Sequence, residues 1–154
     1  MIREITINKK AYHNYEILES YEAGIILSGP EVKSAKQGKI DLSGGYVTLD
    51  NNQIPWIINI SIAPYPPAKG AQENYNPSQS RKLLLRKKEI SSLIGKIKTK
   101  GLTIIPLKVY NKKGFVKIEI GVARGKKKID KREEIKKRDQ ERKIREELKF
   151  KIEN

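Results

Sequence analysis

From residue 2 to about residue 124 apolar and polar positions alternate in short runs, each closed by turn-forming residues. Residues 2–7 read as a short edge strand. Residues 17–27 read as two strands broken around Tyr21-Glu22-Ala23-Gly24, the second closed by Ser28-Gly29-Pro30. Glu31 to Gly38 suits a short helix, with Pro30 at its start, Glu31 near its positive end and Gly38 as a stop. Gly44-Gly45 and Asp50-Asn51-Asn52 bracket a strand at 46–49. The next strand runs from Gln53 to Ile62, and period two puts Trp56, Ile58, Ile60 and Ile62 on one face. Pro64 to Gln79, with Pro64, Pro66, Pro67, Gly70 and Pro77, reads as a long exposed loop. Arg81 to Lys87 sets three leucines between cations and fits a strand entering a helix near Lys88. In that helix Ile90, Leu93, Ile94 and Ile97 form a core-facing stripe, and Gly101 supplies the C′ stop. Residues 103–110 and 115–122 make a hairpin about Asn111-Lys112-Lys113-Gly114. Val116, Ile118, Ile120 and Val122 face one way on it, and Lys117 and Glu119 the other. Short alternating strands with one covering helix predict a mainly β fold: a small closed antiparallel barrel, OB-like, with added short helices.

At Gly125 the pattern changes. Beyond it the chain has no Pro or Gly and carries charge to its end. Residues 124–154 hold fourteen basic and eight acidic side chains, against nineteen and ten in residues 1–123. The expected division is therefore a barrel over residues 1–124 and a basic helical tail over 125–154. Acids precede bases at helical spacing in Glu133/Lys137, Glu134/Arg138, Asp139/Lys143 and Glu141/Arg145. Ile144, Leu148 and Ile152 add a narrow apolar stripe. Such a helix is marginal alone in water, so the tail is expected to be disordered when free and helical against a partner. A helix docked on the barrel or in an oligomer is the competing reading.

The formal charge of +15 on 154 residues makes a polyanion the default partner, a nucleic acid or an acidic membrane face. No apolar run approaches the roughly 20 residues of a membrane span, and Met1-Ile2-Arg3-Glu4 does not open a secretory signal. The absence of Cys rules out disulfides and thiolate metal sites and fits the cytoplasm. No cofactor is expected.

Candidate chemistry is that of RNA binding. Asn8-Lys9-Lys10-Ala11-Tyr12-His13-Asn14-Tyr15 combines cations for phosphate with rings that can stack on unpaired bases, or else is a short packing helix. His13 is the single His, which excludes a His-cluster metal site or a His-pair nuclease. The acids Glu16, Glu19, Glu22 and Glu31 are scattered without metal-ligand spacing, so a Mg²⁺-dependent nuclease is disfavoured. An integral ribosomal protein would share the basic tail. Lys117, outward on its strand, suits phosphate or is merely solvated. Leu84, between cations, could pack on a sugar or unstacked base or lie in the core. Glu22 repels phosphate but can accept hydrogen bonds from base amino groups or 2′-hydroxyls, unless it is only a surface turn.

Six stretches together resemble the small protein B family, the SsrA-binding proteins of bacterial trans-translation. They are Asn8 to Tyr15, Tyr21-Glu22-Ala23-Gly24, Gly29-Pro30-Glu31-Val32-Lys33-Ser34, Arg81-Lys82-Leu83-Leu84-Leu85 with Glu89-Ile90, the Gly-x-Thr-x-x-Pro-Leu pattern within Gly101 to Tyr110, and Gly125-Lys126-Lys127 with Asp130-Lys131-Arg132. Departures are modest: Ala35-Lys36 stands where the family tends to Leu-Arg, Pro30 replaces a more variable residue, and residues 53–56 lack an expected acid. The resemblance implies a barrel that binds the tRNA-like part of transfer-messenger RNA (tmRNA) and is delivered with elongation factor Tu and GTP to stalled ribosomes. It implies RNA contacts at Glu22, Leu84 and Lys117, with Lys33, Arg81 and Lys82 in the matching basic stretches. It also implies that His13 faces the ribosomal decoding site. The tail, through Lys126, Lys127, Lys128, Asp130, Lys131, Arg132, Ile144 and Leu148, would lie along small-subunit rRNA in the decoding centre and mRNA channel. A monomer is expected.

Overall fold

A computed structural model describes residues 2–72 and 74–126, leaving out the side chains of Lys69, Ala71 and Gln72. Beyond Lys126 the expected tail lies outside the described residues. The centre of the fold is a hairpin of two long strands, β8 (Leu102–Lys112) and β9 (Phe115–Gly125). Lys113 and Gly114 alone turn the chain, both with positive φ, 52° and 85°. That geometry matches the right-handed twist of the strands it joins. The turn is thus shorter, and the strands longer, than their alternation predicts.

Strand β1 (Ile2–Ile7) lies antiparallel on β8 at one edge of the sheet, as expected. After the short helix α1 (Lys9–Asn14), β2 (Tyr15–Ile25) pairs along β9 from Tyr15↔Gly125 to Gly24↔Lys117. The expected break near Tyr21 is absent. The irregularity falls instead between Ile17 and Glu19, because continuous pairing with β9 carries the chain through Gly24. Helix α2 (Gly29–Lys36) begins with a reciprocal cap: Glu31 N donates to Ser28 Oγ at 3.3 Å and Ser28 N to Glu31 Oε1 at 3.0 Å. A two-residue strand, β3 (Ile40–Asp41), precedes β4 (Tyr46–Leu49).

The expected strand over 53–62 is two, β5 (Pro55–Ile58) and β6 (Ser61–Ile62), separated by Asn59 in the left-handed region at φ 67°. This residue resets the alternation. Ile57, Ile60 and Ile62 are fully buried, whereas Trp56 and Ile58 turn to the other face and are half-buried. The long loop contains a 3₁₀ segment, Pro66–Gln72, kinked at Ala68. Then come β7 (Arg81–Leu84) and α3 (Lys87–Ile97), in which Leu93 is buried and Ile97 packs on the core. Gly101 sits in the turn after the helix (φ 86°) rather than at C′, the cap being Lys98.

Seven strands join in the order β1-β8-β9-β2-β7-β5-β4, and β3 pairs with β6 apart from them. The expected closed barrel is therefore corrected to a curled, open sheet. Strand β4 comes alongside β8, where a Cβ on the preceding Gly45 would lie 3.0 Å from Pro106, yet no ladder joins them. The main core lies on the face of the sheet that carries Ile118, Ile120 and Val122. A second small cluster of Ala11, Ile105, Leu107 and Ala123 lies under α1. Asn8 anchors that helix: its Oδ1 accepts from Ala11 N at 3.2 Å and its Nδ2 donates to Pro106 O at 2.9 Å.

Candidate nucleic-acid interface

Side chains alternate across a strand, so register decides which residues share the outer face. Tyr110 on β8 pairs with Lys117 on β9, Lys117 with Gly24 on β2, and Gly24 with Leu84 on β7. These four residues form one row across four strands. Gly24 has no side chain, and Leu84 Cβ would lie 3.2 Å from a Cβ placed there, so the middle of the row is low. Leu84 and Phe115 stay 54% and 68% exposed, and Lys117 Nζ rides 5.9 Å above the Phe115 ring. Lys82 shares the outward parity of Leu84 and faces Trp56 on β5. Glu22, two residues before Gly24, lies beside the row opposite Glu119.

Thus Glu22, Leu84, Lys117 and Lys82 come together on one outer face. An apolar and cationic surface of this kind can take sugar, base and phosphate at once. Glu22 accepts the Tyr110 hydroxyl, and Lys112 Nζ lies 3.2 and 3.3 Å from its two oxygens. The Tyr110 hydrogen bond, opposed by partial burial and helped by Lys112, holds the Glu22 carboxyl below its usual pKa. Burial and the Glu22 carboxylate push the Tyr110 hydroxyl well above its usual value, so it remains a donor.

Arg81 does not belong to this face, contrary to expectation. It points inward and is 2% exposed. Its Nε lies 2.7 Å from Glu31 Oε2, and its other nitrogens donate to the carbonyls of Ile60, Gln79 and Pro77 and to the Tyr75 hydroxyl. All five donors are engaged, which ties the long loop to α2 and leaves none for phosphate. Lys33 is exposed on α2, outside the strand row, with Nζ 5.5 Å over the Tyr65 ring.

His13 is exposed on α1 at the other end of β2. Lys126 N donates to Asn14 O at 2.9 Å, so the point where the tail departs sits against the end of His13's helix. Nine residue-to-residue steps of β2 lead from Tyr15 to Gly24, placing this pole about 25–30 Å from the Gly24 row. Beside α1 a cleft of about 310 Å³ is lined by Lys10, Asn14, Tyr15, Tyr46 and Thr103, among others. Lys127, Lys128, Asp130, Lys131, Arg132, Ile144 and Leu148 lie outside the described residues.

A family model described as SmpB protein matches residues 5–150. The chain belongs to the SmpB family. An SsrA-binding protein of Persephonella marina is 52% identical over 151 residues, covering 98% of this chain and 97% of that protein. One from Streptococcus mutans is 49% identical over 142 residues, covering 92% and 90%. A solved structure described as "tmRNA-SmpB: a journey to the center of the bacterial ribosome" superposes with a TM-score of 0.67 at 46% identity, over 81% of this chain and 86% of that one. Within this SmpB chain, Tyr110, Lys112 and Gly24 also belong to the candidate face, and residue-type reasoning passes over them. A signal for Tyr110 does exist: a two-residue turn at Lys113-Gly114 forces Lys112 opposite Phe115 and hence Tyr110 opposite Lys117.

Proposed function

We propose that this protein is a non-enzymatic adaptor that binds the tRNA-like part of tmRNA and brings it to stalled ribosomes. The observation that carries the reading is the outer row of Leu84, Gly24 and Lys117 with Glu22 beside it, held apart from the His13–Lys126 pole by the length of β2. One end of a rigid hairpin holds RNA while the other presents α1 and the start of a basic tail. Membership of the SmpB family, with relatives named SsrA-binding proteins, supports the same assignment.

In this reading Glu22, Leu84, Lys117 and Lys82 contact the RNA, with Lys33 at its margin, and Arg81 keeps only its structural role. The unit over residues 1–124 works as an OB-like RNA-binding module, though not as a closed barrel. The tail over 125–154 becomes helical on the ribosome. There Lys126, Lys127, Lys128, Lys131 and Arg132 neutralise rRNA phosphates near Asp130, and Ile144 and Leu148 seat the helix. His13 faces the decoding site. The complex travels with elongation factor Tu and GTP, and the protein acts as a cytoplasmic monomer. No described helix is long and apolar enough to cross a membrane.

Pull-down of the full chain followed by sequencing of bound RNA tests this. Enrichment of tmRNA over rRNA, with substoichiometric presence on ribosomes, is the expected result. Stoichiometric presence on all ribosomes without tmRNA enrichment would make it an integral ribosomal protein instead.

A further inference from the structure

We propose that Glu22 reads the Watson–Crick edge of an unpaired guanine in the bound RNA, and that Tyr110 positions its carboxylate for this. The proposal rests on the RNA-binding reading above and names what the acidic spot in that face recognises. On a chain of net charge +15, Glu22 and Glu119 stand directly opposite each other on the outer face. Two carboxylates repel a phosphate, so the group placed there must be neutral and rich in donors. Lys108 Nζ, 3.3 Å from Glu119 Oε2, occupies the second carboxylate and leaves Glu22 as the acceptor.

The carboxylate is held from two sides, and the two holds differ in kind. Tyr110 is 6% exposed, fixed in the β8–β9 ladder, and donates to Oε2 from within the sheet. Lys112 reaches both oxygens from a flexible stem and is 38% exposed. Such an exposed ion pair holds weakly, and a neighbouring RNA phosphate can draw Lys112 away. The two-oxygen edge of Glu22 is then open while Tyr110 still fixes its plane. Guanine alone among the four bases carries two adjacent donors on that edge, N1–H and the N2 amine. Adenine and cytosine set an acceptor beside their donor, and uracil flanks its single N–H with two carbonyl oxygens. A carboxylate therefore pairs with guanine through two hydrogen bonds and meets a repelling lone pair on any other base. Leu84 and the low ground at Gly24 give the nucleotide an apolar floor.

The test is analogue interference on the full chain, using tRNA-like transcripts with inosine, which lacks the N2 amine, scattered at guanosines. A second pool carries 2′-deoxyguanosine. With the native protein, inosine at one guanosine should weaken binding about tenfold. Glu22→Gln should abolish that interference. Tyr110→Phe, which keeps the ring, should shrink it severalfold at the same nucleotide while the salt dependence of binding stays unchanged. An inosine pattern identical in Glu22→Gln and native protein would overturn the proposal. So would Glu22-dependent interference from the 2′-deoxy pool alone, which would make the partner a ribose hydroxyl. Failure of the native protein to bind the transcript at all would instead refute the adaptor function.

Discussion

Replacing Arg81 by Met keeps the aliphatic stem and removes the guanidinium from the buried junction of α2, β7 and the long loop. The Glu31 carboxylate, 3% exposed, then loses its countercharge, and the carbonyls of Ile60, Gln79 and Pro77 lose their donors. Removing one partner of a buried pair costs about 3–5 kcal/mol, because the remaining charge is stranded away from water. For a folded unit of roughly 120 residues the unfolding entropy is about 0.25 kcal/mol per kelvin, so the midpoint should fall by about 10–20 °C. Urea unfolding and calorimetry read this directly. Replacing Glu31 by Gln in the same chain should recover part of the loss, since no charge is then left unpaired. Well below its melting midpoint, Arg81→Met should bind tRNA-like RNA with the native salt slope. A cost under about 1 kcal/mol would refute the anchoring role. In a fully folded variant, a salt slope flatter by about 0.7–0.9 would instead put Arg81 in contact with phosphate.

Three further outcomes are expected. Lys117→Ala should flatten the slope of log K against log salt by about 0.7–0.9, one phosphate contact, and an unchanged slope in a folded variant removes Lys117 from the interface. Ending the chain after Lys128, or replacing Ile144 and Leu148 by Asp, should leave RNA affinity nearly intact and abolish tagging on stalled ribosomes; tagging by the truncated chain would show that the tail is dispensable. Burial tends to raise the Glu31 pKa, but the Ser28 amide and Arg81 outweigh it and hold the carboxyl below its usual value. Its contribution is therefore complete above the ordinary Glu range, near 4.3, and is lost as pH falls through the lower folded value. The stability gap between native protein and Glu31→Gln should accordingly be constant above about pH 5 and shrink in acid, and a gap that widens in acid reverses the sign.

Local chemistry by itself determined much of this protein. The helix start at Pro30 and Glu31, the Leu93 and Ile97 stripe and the alternation on β9 each follow from residues within one or two turns of each other and formed as their pattern predicts, and the β8–β9 hairpin formed with a tighter turn than expected. The charge of +15 left a nucleic acid or an acidic membrane face as the partner, and the stretches that resemble the SmpB family singled out RNA. What the tertiary structure alone decided involves residues distant in sequence. Arg81 looks like any cation in a basic run until Glu31, 50 residues away, is found beneath it. Tyr110 meets Glu22 across 88 residues, through a register set by two different strand pairs. The parity reset at Asn59 and the open sheet depend on a backbone conformation and a missing ladder, neither of which residue type specifies. A side chain's neighbours along the chain fix its local conformation, but whether its charge ends in the core or in water depends on which strand comes to lie beside it.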